Sequence, residues 1–315
     1  MDKIFTNSIG KLSKQIGNFA RVACILEVTT EKPGNVTPTH DFADTKFENF
    51  IFGSMLIGDA VEKAFTDGFT GKFKTGKRIY EFVREMKFYN KTNTHFGIAL
   101  LFIPLAMALG MCMKMNKQNT KKKISTKKLR EAIAHVMRNT YIDDAVYIHK
   151  AILSGNVRVD AEPKYDKFDA HSKNFIKTAR KEGLTLYHMM KISADKDLIA
   201  RDLTTKMEIS FSYFNYLLYS LKEKGISRKD TISRKDILQL YLLLLSKFQD
   251  TLIMKKRGSE ISENVSEMAK EVINGNLSVE KFSDYLYINN INPGTIADIT
   301  ANVVFLYLLK KFLYF

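Results

Sequence analysis

The sequence predicts an all-α fold, read as a single multi-helix domain over residues 1–315 with about ten to twelve helices of ordinary length. Three observations carry this. Apolar residues recur at helical spacing almost everywhere, and no run of alternating strand pattern interrupts them. Five prolines and sixteen glycines are few for 315 residues, which disfavours a fold of many tight β-turns. The hydrophobic content of 45%, with 11% aromatic, is enough to fill a sizeable core.

Each element follows from its own pattern. Ile9, Leu12, Ile16, Phe19, Val22, Ala23 and Leu26 trace one stripe of a first helix, expected to end near Glu31 because Lys32-Pro33-Gly34 breaks it. A second helix is expected from about Thr45 to Phe65, and a third over the stretch "GKRIYEFVREMKF". From Thr94 onward the chain is uniformly apolar. Its eighteen uncharged residues 96–113 reach the lower limit for a membrane span. Pro104 divides that stretch and amphipathic helices flank it, so it is read as a buried central helix with no membrane partner. A long fifth helix is expected over 125–153, then a polar connection at 154–166. Helical patterns resume over 167–191, 196–223 and 233–256, the last opened by a Ser233/Asp236 capping box. Three shorter ones complete the set near 260–273, 278–288 and 295–313.

Charge and cysteines narrow the function classes. The net charge of +15 suits an anionic partner. Its lysines are scattered apart from the run at 117–130, which reads as a solvated loop opening a helix, so no nucleic-acid partner is expected. Cys24 and Cys112 lie far apart in apolar stretches and form no metal or disulfide pattern, which fits a reducing cytoplasm. Asp143 and Asp144 are neighbours on a helix and point about 100° apart, so they suit a partly exposed face better than one shared metal.

Chemistry gathers instead at helix boundaries. "EVTTEKPGNV" and "THDFADT" carry Glu27, Lys32, Gly34, His40, Asp41 and Asp44 behind the first helix. "NTHFG" sets Asn93, Thr94 and His95 at the start of the apolar helix, where free backbone N–H groups make a natural phosphate cradle. "DTLIMKKRG" holds a further candidate group, Asp250, Lys255 and Arg257, with Asp250 and Arg257 two turns apart on one face. "NPGTIAD" opens the last helix with Thr295 and Asp298. Structural readings stand beside each. Asp44 could cap the helix that begins at Thr45, Asn93 or Thr94 could be a plain cap, and Thr295 with Asp298 fits a capping box. His40 could be a surface turn residue, His95 a satisfied core histidine, and Lys255 and Lys256 ordinary surface charge.

These motifs, in this order, resemble the triphosphoribosyl-dephospho-CoA synthase family. That family makes the precursor of the prosthetic group of citrate lyase and malonate decarboxylase. "THDFADT" and the Lys91-Thr92 pair before "NTH" are closer to its archaeal-type relatives. The resemblance implies a transferase that moves a triphosphoribosyl group from ATP to a ribose hydroxyl of dephospho-CoA and releases adenine. It also implies small nucleotide partners and Mg2+ on the triphosphate. On that reading Asp41, Glu27 and His95 are the catalytic candidates, with Asp41 as base and His95 as donor or phosphate ligand. Lys32, Gly34, His40, Asn93, Thr94 and Arg257 would bind substrate, and Asp41, Asp44, Asp250 and Asp298 would hold the metal. Asp41→Asn is then expected to abolish turnover without unfolding the protein.

Overall fold

The computed structural model describes residues 3–90, 94–115, 124–155, 172–226 and 231–313. Among them are fifteen helices and no strand. The first six are α1 (Lys3–Val28), α2 (Phe47–Thr70), α3 (Thr75–Tyr89), α4 (Phe96–Met115), α5 (Thr126–Arg138) and α6 (Ile142–Gly155). Then come α7 (Phe175–Glu182), α8 (Leu186–Ser193), α9 (Leu198–Thr204), α10 (Glu208–Glu223) and α11 (Arg234–Lys247). The set closes with α12 (Thr251–Arg257), α13 (Ser259–Ile273), α14 (Val279–Ile288) and α15 (Gly294–Leu313).

The helix count exceeds the expected one for a physical reason. Four long periodic stretches break where a side chain caps a new start, and the capping box predicted at Ser233 and Asp236 is present. The 125–153 stretch splits because Asp144 accepts the Tyr141 N–H at 2.9 Å. Thr185 caps α8 through the His188 N–H after Gly183 ends α7. Asp202 takes the N–H groups of Ile209 and Ser210 at the start of α10, past a left-handed turn at Lys206 and Met207. Asp250 does the same for α12. Hydrophobic periodicity runs straight through these points, so it does not mark them. Most of the polar connection expected at 154–166 lies outside the described residues, as does much of the basic run.

At the centre lies α4, buried almost all round by α2, α5 and α15. It is the one helix among the described residues long and apolar enough to cross a membrane unaided, and most of it is buried within the protein. Pro104 does not divide it. The helix continues through the proline, whose cost of about 3 kcal/mol is offset by packing on every side. Phe102 stacks on Phe305 of α15 with centroids 4.4 Å apart, the central contact between these two helices. A continuous set of buried apolar residues runs from Ile16 in α1 to Leu309 in α15. This packing fixes the beginning of α4 beside the beginning of α15, with the end of α1 close by.

Candidate active site

Four of the helix boundaries singled out in the sequence meet at the start of α15. Asn35 of the first motif donates to the Asn292 side chain at 3.0 Å. Gly34 adopts φ +73° and lies so close to this segment that a Cβ there would sit 2.7 Å from the Ile291 carbonyl oxygen. Both requirements exclude any other residue. Gly97 of the second motif leaves no room either, since its Cβ would fall 2.0 Å from Asp298 Oδ2 and 2.6 Å from Ile199 Cδ1. From the third motif, Asp250 Oδ2 accepts the Ile296 N–H at 2.8 Å. The neighbouring Thr251 hydroxyl donates to Thr295 Oγ1 at 3.1 Å.

The carboxylates here differ sharply in what they touch. Asp250 is fully buried and takes three backbone N–H groups, from Leu252, Ile253 and Ile296, so one side chain caps two helices. Burial nevertheless pushes its pKa up to about 6. Its oxygens are committed to backbone, which differs from the metal-ligand role expected of it. The capping box expected between Thr295 and Asp298 is absent for the same reason. Asp250 caps α15 and Thr295 accepts from Leu252 N–H, leaving Asp298 without that task.

Glu27, at the end of α1, is 4% exposed and pairs with Lys32, 1% exposed, across 3.0 Å. Lys32 also donates to the carbonyls of Glu27 and Thr30 at 2.5 and 3.2 Å. All three of its N–H bonds are thereby spent inside the protein, so it holds Glu27 and not a phosphate. Burial raises the Glu27 pKa, and the Lys32 ammonium works against that rise. Asp298 is raised well above the ordinary carboxyl range, chiefly by burial, then by the negative charges of Glu27, Asp250 and Asp197. Burial pushes up the Cys24 thiol of α1, and the negative charges of Glu27 and Asp298 add to that rise.

The remaining expected residues lie elsewhere or serve packing. His95 is buried and its pKa is pushed down to about 3 by burial, so it is neutral. Its Nδ1 meets the Thr94 hydroxyl at 2.7 Å, and its ring covers Gly53 of α2, where a Cβ would sit 2.3 Å from Nδ1. This brackets α2 to the start of α4, in place of the donor role expected. Thr94 also reaches the Asn49 carbonyl at 3.5 Å. Asn93 lies outside the described residues.

Residues 37–46 form two successive tight turns, Thr37 to His40 and Phe42 to Thr45, each closed by a pair of backbone hydrogen bonds. Asp41 and Asp44 are exposed on them. Asp41, not Asp44, caps α2 by accepting the Phe47 N–H at 2.8 Å, while Asp44 accepts only from the adjacent Thr45 hydroxyl. His40 stacks on Tyr287 of α14, rings 4.0 Å apart and nearly parallel. Arg257 donates to the carbonyls of Asn289 and Asn290, tying α12 to the end of α14.

Two participants, Asp197 and Tyr241, escaped the sequence reading. Asp197 caps α9 at the Ala200 N–H and pairs with Lys255 at 2.6 Å. Lys255 is therefore not ordinary surface charge. Tyr241, fully buried in α11, donates to the Pro33 carbonyl at 2.7 Å and fixes the break after α1. The cap signal before "LIAR" was available for Asp197, but nothing in the α11 pattern marks Tyr241.

A family model described as ATP:dephospho-CoA triphosphoribosyl transferase matches residues 13–314. The chain belongs to that family. Triphosphoribosyl-dephospho-CoA synthases of this kind are transferases that use ATP, moving its triphosphoribosyl group to dephospho-CoA with release of adenine. The chain is also similar to a crystal structure assigned as a triphosphoribosyl-dephospho-CoA synthase from Archaeoglobus fulgidus. The two share 25% identity over 79% of this chain and 95% of that one, with a TM-score of 0.58. No curated protein sequence matches.

Proposed function

We propose that the transferase chemistry takes place at the start of α15, with Glu27 as the general base and Asp298 as the general acid. The observation that supports this most is the contact of Gly97 with the Asp298 carboxylate, beside a Glu27 held by Lys32. Environments that separate two carboxyl groups sort them into acid and base. Lys32 favours the charged form of Glu27, whereas three neighbouring carboxylates favour the protonated form of Asp298. Burial raises both carboxyls, and Asp298 is the one held further toward its protonated form.

The transfer then balances. The acceptor ribose hydroxyl attacks C1′ of the ATP ribose and passes its proton to Glu27. The C1′–N9 bond breaks with positive charge developing on the sugar, and adenine leaves with the proton of Asp298. The negative field of the carboxylate cluster favours that developing charge. ATP would bind with its reacting sugar carbon between the two acids.

Magnesium is expected on the triphosphate, but the described residues contain no group of three or more ligands able to hold an ion. Asp41 and Asp44 stand exposed on the surface loop, and the oxygens of Asp250 are taken by backbone. Magnesium on a nucleotide takes only one or two carboxylates, with substrate phosphates and water completing its shell, so an ion here would be held chiefly by the triphosphate, and no step is routed through it. We read residues 1–315 as one catalytic domain, supported by the continuous core from α1 to α15. A cytoplasmic location agrees with two buried free cysteines and a need for ATP.

Incubation with ATP, Mg2+ and dephospho-CoA, followed by chromatography for adenine and mass measurement of the nucleotide product, tests the reading. Adenine release coupled to a triphosphoribosylated acceptor is expected from the wild type and not from Asp298→Asn. Adenine appearing only with a different acceptor would replace dephospho-CoA as the substrate.

A further inference from the structure

We propose that Lys255 is the cation that receives a polyphosphate chain in this site, and that Asp197 is the positioning residue that holds its ammonium in place. The inference rests on the reading of the α15 start as the active site, and it names a residue that reading leaves unused. Polyphosphate occurs in both substrates, as the triphosphate of ATP and the diphosphate of dephospho-CoA.

The cations first expected to bind phosphate are committed elsewhere. Lys32 spends all its donors on Glu27 and Thr30. Arg257 faces the carbonyls at the end of α14. Lys255 differs from both. Its side chain is 15% exposed and, among the described residues, its ammonium has one partner, Asp197 Oδ2 at 2.6 Å. Two of its three N–H bonds are thus left for a ligand.

Its position is fixed from two directions. Asp250 ties the first turn of α12, which carries Lys255, to the first turn of α15 through Ile253 and Ile296. Asp197 divides its oxygens, one accepting the Ala200 N–H at 2.9 Å and the other taking Lys255. Ile199, two residues on, packs against Gly97 at the same spot as the Asp298 carboxylate. The Asp197–Lys255 pair therefore joins α9 to α12 beside the contact between Gly97 and the Asp298 carboxylate. Asp197 also lies near enough to add to the charge that keeps Asp298 protonated. A partly desolvated ammonium fixed by one carboxylate is ready for phosphate oxygens, and such charge-assisted bonds are among the stronger ones.

The test uses the full chain and three variants, Lys255→Met, Lys255→Arg and Asp197→Asn. Inorganic triphosphate serves as probe, titrated by calorimetry and as a competitive inhibitor. Lys255→Met should weaken triphosphate binding about tenfold or more, since a charged hydrogen bond contributes at least that much. Lys255→Arg should restore most of it. A matching rise in KM for ATP assigns the ATP triphosphate to Lys255, and a rise in KM for dephospho-CoA assigns the acceptor diphosphate. Asp197→Asn should raise the same KM by a smaller factor and leave the KM of the other substrate unmoved, a split that loss of folding would not give. Unchanged triphosphate affinity in Lys255→Met, with both KM values unmoved, would reduce the pair to a structural strut. If Lys255→Met does not fold, Asp197→Asn decides alone, and an unchanged affinity there overturns the proposal. Absence of adenine release from the wild type would count against the proposed reaction only, because the calorimetric arm needs no turnover.

Discussion

The turns at residues 37–46 and the start of α15 carry the same kinds of side chain in opposite surroundings. In the turns, Asp41 and Asp44 stand in solvent, and each makes a single local hydrogen bond. At α15, Asp250 is fully buried with three backbone N–H donors, and Asp298 sits against a glycine among other carboxylates. A dense acidic motif in the sequence therefore marks a surface turn, while acids far apart in the chain make the electrostatically stressed cluster. Local acidic density does not mark the shifted carboxyls: burial raises both Asp250 and Asp298, and Asp250 is the one of the two whose oxygens are taken by backbone N–H groups.

The contrast can be broken at four points. Asp298→Asn should lower kcat by about 10²–10⁴-fold, the usual loss on removing a general acid, with the circular dichroism spectrum unchanged. Near-normal turnover in this variant would return the chemistry to the surface turns. Lys32→Met should cost about 3–5 kcal/mol in chemical denaturation, because it strands the buried Glu27 charge. A loss below 1 kcal/mol would mean that solvent reaches Glu27.

The third point is pH. The Asp250 carboxyl is pushed up to about 6 by burial in the folded protein, against about 3.9 for an ordinary aspartate, so the folded state binds more protons in that window. Its contribution is therefore fully present below the unfolded value and is lost as pH rises through 6, a change of about 3 kcal/mol. Melting temperatures from pH 4 to 7 should show the decline. Asp250→Asn should flatten part of it, leaving the share due to Asp202, which is also raised to about 6 by burial. A decline of unchanged steepness in the variant would remove Asp250 as its source. Smallest of all, Asp41→Asn should cost at most about 1 kcal/mol, the worth of one cap, and leave kcat within about threefold. Loss of turnover there, which the sequence motif had suggested, would place the turns back in the site.

Helical class and the buried central helix were legible in the sequence through apolar spacing, and the motif-bearing boundaries through residues such as Lys32-Pro33-Gly34. That those helix ends serve one site was an expectation from the family resemblance alone. The roles were less legible. Lys32 looked like a phosphate ligand because it lies in the family motif, and only the fold reveals that Glu27 and two carbonyls enclose it. His95 looked like a donor because its motif starts a helix, but Gly53 on another helix buries it. Asp197 and Lys255 are paired across 58 residues of chain, a separation that no local pattern encodes.

The covering of α4 by α15 also bears on synthesis. A nascent chain presents the oily segment 96–115 long before residues 294–313 are made to shield it, and Phe102 waits for Phe305. Until then the ribosome-bound chain holds a stretch with the length and greasiness of a bilayer span. Chaperones that shelter such segments would have their longest task here, and truncation before residue 294 should send the product into inclusion bodies.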